Sequence, residues 1–170
     1  MSAVLEHPVW LDEVTRRWQQ VLADKTLADL PFKIETNRNG QIVMSPAKAI
    51  HARFQGEIAA LLKRALGGVV YTECPVATPQ GIKVADVAWS STGFATRHES
   101  EDVFSVAPEI CVEIRSPSNA MIELLSKVRL YLDAGAREVW LVSEDGKVEF
   151  HDVNGPQPRS SFGVDVPPLL

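Results

Sequence analysis

The sequence has few cysteines, the residues that bind metals through sulfur or form the disulfides of small secreted proteins. Its only two cysteines are Cys74 and Cys111, and their spacing does not match a metal-ligand motif. The first residues, MSAVLEHPVW, lack the charged and then apolar pattern of a secretory leader, so we expect a cytoplasmic protein. No apolar run approaches the roughly 18 residues needed to cross a bilayer, so we expect no membrane segment.

Positive charge is also scarce. Lys and Arg number 17 against 22 Asp and Glu, which leaves a formal net charge of −5. A nucleic-acid partner would therefore have to meet a local basic patch or a bound metal. The length of 170 residues and the hydrophobic fraction of 45% predict a single α/β domain over residues 1–170. Within it, we expect residues 1–30 to form a helical N-terminal extension and residues 154–170 to form a proline-rich tail.

The centre of the chain predicts a strand, a helix and a second strand. Polar and apolar residues alternate over 109–115, which places Glu113 and Arg115 on one face of a strand. A helical repeat follows and ends at Gly135, and a second strand covers 137–142. Two strands joined by a helix are expected to be parallel neighbours with a right-handed connection.

Periodicity and turn residues predict the other elements. Helices are expected at 8–23 and 48–66, and strands at 32–36, 41–45, 69–77, 81–89 and 147–153. Residues 90–102 are interpreted as an exposed loop. The proline-rich tail is expected to be irregular, either flexible or lying across a partner subunit.

Charged residues on otherwise apolar faces are the candidates for a functional site. Asp86 lies on the same strand face as apolar residues, and Glu57 lies at the side of an apolar helical stripe. Two carboxylates on neighbouring strands, Asp86 and Glu113, can share a Mg²⁺ ion, which prefers oxygen ligands and keeps several of its waters. Lys127 could orient or deprotonate a water. These groups together predict metal-dependent phosphodiester hydrolysis.

Simple ion pairing is the alternative for each of these residues. Glu123 and Lys127 have the i,i+4 spacing of an exposed helical pair. Asp86 and Glu113 could be neutralised by Arg115 or Arg137, and Glu57 by a neighbouring basic side chain. Tyr131 and Trp140 are expected to be core aromatics.

The order and spacing of several motifs resemble the Uma2-like proteins, a restriction-endonuclease family of the PD-(D/E)XK nuclease superfamily. The resemblance covers about residues 32–152. Its motifs are Val84-Ala85-Asp86-Val87, Val112-Glu113-Ile114-Arg115-Ser116-Pro117-Ser118, and Glu123 followed by Lys127, Tyr131, Gly135, Glu138 and Trp140.

The resemblance implies a restriction-endonuclease-like core, a mixed β-sheet flanked by α-helices. It also implies Asp86 and Glu113 as ligands of Mg²⁺, with Mn²⁺ as a substitute, and Glu57 as an additional acid on the first core helix. The superfamily's usual lysine position holds Arg115, which can contact a phosphate but is a poor base. Lys127 matches the position that the lysine takes in Uma2-like sequences.

Two residues depart from the family pattern, and the substrate is left open. Ala85 stands where the family has proline, and Glu123 where aspartate is commoner. The leading hypothesis is a Mg²⁺-dependent endonuclease acting on DNA, and a homodimer is expected because cutting both strands of a duplex usually uses two sites. RNA or a small phosphodiester would suit the same carboxylates. The rival is an inactive nuclease fold that serves as a binding or assembly module, which Arg115 and the net negative charge favour.

Overall fold

A mixed six-stranded sheet and a separate two-stranded hairpin form the framework of the protein. The structure, a computed structural model, describes residues 8–117 and 119–169. Residues 1–7 of the predicted extension, Ser118 of the family motif and Leu170 lie outside this part. The helices are α1 Val9–Ala23, α2 Ala49–Leu66, α3 Thr92–Arg97 and α4 Met121–Asp133; the strands are β1 Phe32–Thr36, β2 Ile42–Pro46, β3 Val69–Thr78, β4 Gly81–Ser90, β5 Ile110–Ile114, β6 Glu138–Val142, β7 Val148–Asp152 and β8 Gly155–Gln157.

The large sheet has the strand order β3-β4-β5-β6-β7-β8. Only β5 and β6 are parallel, and they are joined by α4, which confirms the predicted strand–helix–strand unit. Helix α2 packs against one face of the sheet through Phe54, Ile58 and Leu62. Helix α4 packs against the other face through Val128 and Tyr131. The predicted mixed sheet flanked by helices is therefore confirmed. No helix in the described ranges is long and apolar enough to span a membrane.

Strands β4 and β5 pair over only three residues of each strand and then separate. Beyond that point the hairpin of β1 and β2 covers the edge of β4. The Thr36 hydroxyl accepts a hydrogen bond from the Ile82 amide (2.8 Å), and the Glu35 carboxylate accepts one from the Val84 amide (2.7 Å). These side chains satisfy strand amides that would otherwise be buried without a partner. Because the strands separate there, side chains of both β4 and β5 can lie in the space between them.

Residues 90–102 are not simply an exposed loop, as was predicted. They contain α3, whose N-terminus is capped by Ser91, since the Ser91 hydroxyl accepts a hydrogen bond from the Phe94 amide. Burial of Phe94 in the core stabilises this short helix. Most residues of this segment are polar, and Phe94 is its only large aromatic residue, so the sequence pattern predicted a loop.

The C-terminal tail is irregular over residues 158–169, as predicted, but it differs from its prediction in two other respects. Residues 155–157 form strand β8 beside β7, and Val164 and Leu169 are buried against the core of the same chain. Arg53 of α2 donates a hydrogen bond to the Leu169 carbonyl. Widely spaced apolar residues between prolines can be buried without forming a periodic pattern, so neither a helical nor a strand period predicted their burial.

Replacing Glu138 with alanine is expected to destabilise the protein. The buried Glu138 carboxylate accepts hydrogen bonds from the Trp140 indole and from the Ser161 amide and hydroxyl. Glu138→Ala leaves the buried Trp140 indole N–H unpaired and frees the Ser161 segment, and it lowers the free energy of unfolding by about 2 kcal/mol. Urea unfolding measures this change. The control is Glu149→Ala, whose side chain is exposed on β7; an equal loss in both variants would contradict the prediction.

Candidate functional site

Asp86 lies on β4 where that strand separates from β5, and only 1% of its surface is exposed. Its Oδ2 accepts a hydrogen bond from the Ile114 amide (2.7 Å) and lies 3.2 Å from His51 Nε2. Its Oδ1 accepts a hydrogen bond from Lys33 Nζ at 2.6 Å. Burial alone would raise the pKa of Asp86, but Lys33 and His51 outweigh burial and hold the pKa below its ordinary value. Asp86 is therefore a carboxylate at neutral pH.

Glu113 lies on the neighbouring strand and is also buried, with 2% of its surface exposed. Its Oε1 accepts a hydrogen bond from the Tyr131 hydroxyl at 2.7 Å. Its Oε2 lies 3.2 Å from Lys127 Nζ and 3.8 Å from Lys33 Nζ. Burial raises the pKa of Glu113 more than the two lysines lower it. Tyr131 thus belongs to the core, as predicted, and also orients a site carboxylate.

Lys127 reaches the two strands from α4. Its ammonium contacts Glu113 and also Glu35 of β1, whose Oε1 is 2.8 Å away. The described residues show no ion pair between Lys127 and Glu123, so the alternative of an exposed i,i+4 pair does not account for this lysine. Burial lowers the pKa of Lys127, but Glu113 and Glu35 together have the larger, opposite effect, so the pKa of Lys127 lies above its ordinary value. Lys127 is therefore suited to donating hydrogen bonds and not to accepting a proton.

Two residues of β1, Lys33 and Glu35, complete the cluster and were missed by the sequence reasoning. The Lys33 ammonium lies between Asp86 and Glu113, and Glu35 holds Lys127. Burial lowers the pKa of Lys33, but the surrounding carboxylates raise it well above its usual range. A signal was present, because Lys33 and Glu35 are two apart in a strand and therefore share one face. Nothing in the sequence indicated that this hairpin would cover the end of β4.

Helix α2 contributes His51 and Gln55, which are one turn apart on the face toward β4. Gln55 Nε2 donates hydrogen bonds to the Asp86 carbonyl (2.7 Å) and to Glu73 Oε1 (2.8 Å). Glu73 has a positive φ of 52°, and the β3–β4 pairing skips Glu73 and Asp86. Gln55 thus supplies the partner that the Asp86 carbonyl lacks in the strand ladder. A non-glycine residue in this strained backbone conformation is typical of functional sites.

Glu57, predicted as an additional acid, is not brought to this cluster. It is two residues beyond Gln55, which places it about 200° around the helix from the face that meets Asp86. Its side chain is 37% exposed and forms an ion pair with Arg53 at 2.7 Å. The third carboxylate beside Asp86 and Glu113 is instead Glu35, from the hairpin and not from the helix.

The two arginines considered as partners of the acids lie elsewhere. Arg115 follows the end of β5, where its Nε is 3.9 Å from Glu144 Oε1. The Arg137 guanidinium stacks over the Phe162 ring, 4.7 Å from the ring centre. Asp86 and Glu113 are therefore neutralised by lysines and not by arginines, which corrects that alternative.

A pocket of about 400 Å³ opens onto Asp86 and Glu113. It is lined by these carboxylates, by Lys33 and Lys127, and by a partly apolar set of neighbouring residues. These neighbours include Leu30, Pro31, Phe32, Pro46, Ala47, Lys48 and Asn119. The pocket thus reaches the two acids, whose surfaces are almost completely covered by neighbouring side chains.

The donor atoms of the cluster fit a magnesium ion and do not fit a zinc ion. In residues 8–117 and 119–169, no group of three or more His, Cys, Asp or Glu side chains is arranged to hold a metal. Zinc sites require three or four such protein ligands. Mg²⁺ is held by one or two carboxylates and keeps most of its waters. Asp86 Oδ1 and Glu113 Oε2, the oxygens not committed to Ile114 or Tyr131, provide that smaller set.

Comparison with solved structures identifies the class of fold. The chain is similar to the crystal structure titled "a putative nuclease belonging to DUF820" from Anabaena variabilis ATCC 29413, with a TM-score of 0.59 and 18% sequence identity. The match covers 76% of this chain and 82% of the other. The two proteins share the same fold.

The sequence identifies the family. Residues 24–160 match Uma2, the family described as "Putative restriction endonuclease", and this chain belongs to that family. The resemblance stated from the motifs is thereby confirmed, and it supports a nuclease-like function. A search of curated proteins found no match.

Proposed function

We propose that this protein is a Mg²⁺-dependent endonuclease that hydrolyses phosphodiester bonds in DNA, with Mn²⁺ able to replace Mg²⁺. One observation carries the proposal: Asp86 and Glu113 lie on adjacent strands and line the same pocket, and the Lys127 ammonium contacts Glu113 there. Membership of a restriction-endonuclease family supports the reaction class and nucleic acid as the partner.

The carboxylates would hold the metal, and the surrounding groups hold the carboxylates. The Ile114 amide and the Tyr131 hydroxyl each fix one carboxylate oxygen, which leaves Asp86 Oδ1 and Glu113 Oε2 for the ion. When bound, the ion would lower the pKa of a coordinated water and neutralise charge developing on the phosphate.

Lys127 has the role of a hydrogen-bond donor in this site. Glu35 holds its ammonium beside Glu113, where it can orient the attacking water or a phosphate oxygen. Its raised pKa means that it remains charged at neutral pH and stabilises negative charge. The proton of the water must therefore go to another acceptor, such as solvent or a phosphate oxygen.

Substrate binding is expected to rely on a local basic patch, because the whole chain has a net charge of −5. Lys33 and His51 line the pocket and can meet a phosphate there. Arg115, whose side chain is 40% exposed, offers a further phosphate contact at the end of β5, outside the pocket lining. Cleavage of both strands of a duplex requires two sites, so the proposal includes a homodimer.

Cleavage assays with matched substrates test this function. End-labelled duplex DNA, single-stranded DNA and RNA of one sequence are incubated with Mg²⁺, with Mn²⁺ and with EDTA. Cleavage of DNA with either metal and none with EDTA is expected, and light scattering should give twice the mass of 18.7 kDa. Cleavage of RNA alone would reassign the substrate. Nucleic-acid binding without any cleavage would replace the proposal with the binding-module alternative.

A further inference from the structure

We infer that the Lys33 ammonium occupies the position between Asp86 and Glu113 where the metal would bind. The metal therefore binds only when this ammonium moves away. The inference rests on the proposed function and concerns how the site is loaded. Lys33 Nζ lies 2.6 Å from Asp86 Oδ1 and 3.8 Å from Glu113 Oε2. It is thus the one ammonium among the described residues that contacts both carboxylates.

The oxygens that Lys33 contacts are those left for a metal. Asp86 Oδ2 is committed to the Ile114 amide and His51, and Glu113 Oε1 to the Tyr131 hydroxyl. The remaining oxygens, Oδ1 and Oε2, are the ones nearest the Lys33 ammonium. A metal that uses both carboxylates therefore competes with Lys33 for the same two atoms.

Lys33 and a metal cannot hold those atoms at once. Mg²⁺ binds its oxygen ligands at about 2.0–2.1 Å. An ammonium 2.6 Å from Asp86 Oδ1 would then lie against the ion, with strong repulsion between the two cations. Lys127 also contacts Glu113 Oε2, at 3.2 Å, but it does not contact Asp86 and is held to one side by Glu35. Because a carboxylate oxygen has two lone pairs, Lys127 can stay beside Oε2 when the metal enters, whereas the Lys33 ammonium lies between the two carboxylates and has to move.

Charge compensation allows such an exchange. Asp86, Glu113 and Glu35 are three buried carboxylates, and they are contacted by Lys33, by Lys127 and, at Asp86, by His51. A divalent ion in place of Lys33 keeps every one of these carboxylates next to a positive charge. Without metal, Lys33 limits the repulsion between buried acids, which stabilises the empty site.

The Lys33 side chain lies next to an open pocket into which its ammonium can move. It lies on β1, which pairs with β2 in a separate two-stranded sheet, and its side chain lines the open pocket. A lysine has a flexible four-carbon stem, so its ammonium can move into the pocket without a change in the backbone. There it would meet the phosphate of a substrate.

Metal binding to variants tests the inference. Mn²⁺ affinity is measured by calorimetry for the wild type, Lys33→Met, Lys48→Met and Asp86→Asn. Lys33→Met should bind Mn²⁺ about tenfold more tightly, since it removes the competing charge. Lys48→Met is the matched control, because it removes the same charge from the same pocket, and the described residues show no ion pair of Lys48 with the acids. Its affinity should stay within about threefold of the wild type.

The outcomes separate this inference from the proposed function. Unchanged or weaker binding by folded Lys33→Met, with metal still bound by the wild type, overturns the role of Lys33 alone. Absence of Mn²⁺ binding in both the folded wild type and Lys33→Met overturns the proposed function and this inference with it. Equal tightening in Lys33→Met and Lys48→Met would reduce the effect to general electrostatics and also overturn the inference.

A measurement on the wild type covers the case in which Lys33→Met does not fold. Lysine acetylation by an amine-reactive ester is followed by mass spectrometry with and without Mg²⁺. Since the Lys33 side chain is only 15% exposed in the structure, its release should raise its acetylation rate about tenfold on addition of Mg²⁺. Lys127 should be unaffected. A Lys33 rate that stays the same or falls contradicts the inference.

Discussion

Asp86→Asn is expected to abolish Mn²⁺ binding and to lower the rate of DNA cleavage about a thousandfold. Asparagine keeps the size of the side chain but replaces one carboxylate oxygen and removes the charge that attracts the ion. Loss of outer groups around a metal already costs about 10- to 100-fold in affinity, so loss of a direct ligand should cost more. Calorimetry with Mn²⁺ and single-turnover cleavage of labelled DNA measure the two effects. Glu113→Gln is expected to behave in the same way.

Glu57→Gln is the matched control for both acid variants. It also removes one carboxylate from an element that packs on β4, but Glu57 pairs with Arg53 away from the pocket. Its metal affinity and cleavage rate should equal those of the wild type. A loss of cleavage in Glu57→Gln, or full cleavage by folded Asp86→Asn, would show that the site has been placed wrongly.

Lys127→Met is expected to lower the cleavage rate about a hundredfold while the protein still binds Mn²⁺. The variant removes the ammonium that orients water or phosphate, and it leaves the pocket-facing oxygens of Asp86 and Glu113 in place. The separation of metal affinity from cleavage rate distinguishes Lys127 from the metal ligands. Calorimetry and single-turnover cleavage again provide the two measurements.

Two further variants define the role of Lys127. Glu123→Gln should change neither property, because the structure pairs Lys127 with Glu35 and Glu113 and not with Glu123. Lys127→Arg should restore part of the cleavage, since a charged donor is kept. If Lys127→Met cleaves normally, or if it loses metal binding along with cleavage, the orienting role is wrong.

Local patterns in the sequence were enough to predict the elements around the site. Alternation over residues 109–115, the helical repeat after it and the strand at 137–142 predicted the β5-α4-β6 unit, because these periods follow from strand and helix geometry. The same strand period predicted Asp86 as a site residue, because it is a charged residue on an otherwise apolar strand face. The sequence could not show that Lys127 contacts Glu35, since these residues are 92 positions apart.

Glu57 and Glu35 illustrate where local reasoning failed. Glu57 was selected because it lies beside an apolar stripe, but the orientation of α2 turns His51 and Gln55 toward Asp86 instead. Glu35 had no unusual local feature beyond sharing a strand face with Lys33. Which face of a helix or hairpin meets a distant strand depends on packing of the whole core.

The sequence by itself determined the class of fold, the parallel pair of strands and the acids that face one another across β4 and β5, because local periodicity and motif spacing encode them. Only the tertiary structure decided which cations neutralise those acids. The hairpin of β1 and β2 lies over the separated ends of β4 and β5, and this placement brings Lys33 and Glu35 into the cluster. Ion pairs between distant segments follow from how the elements pack, and no local pattern records that packing.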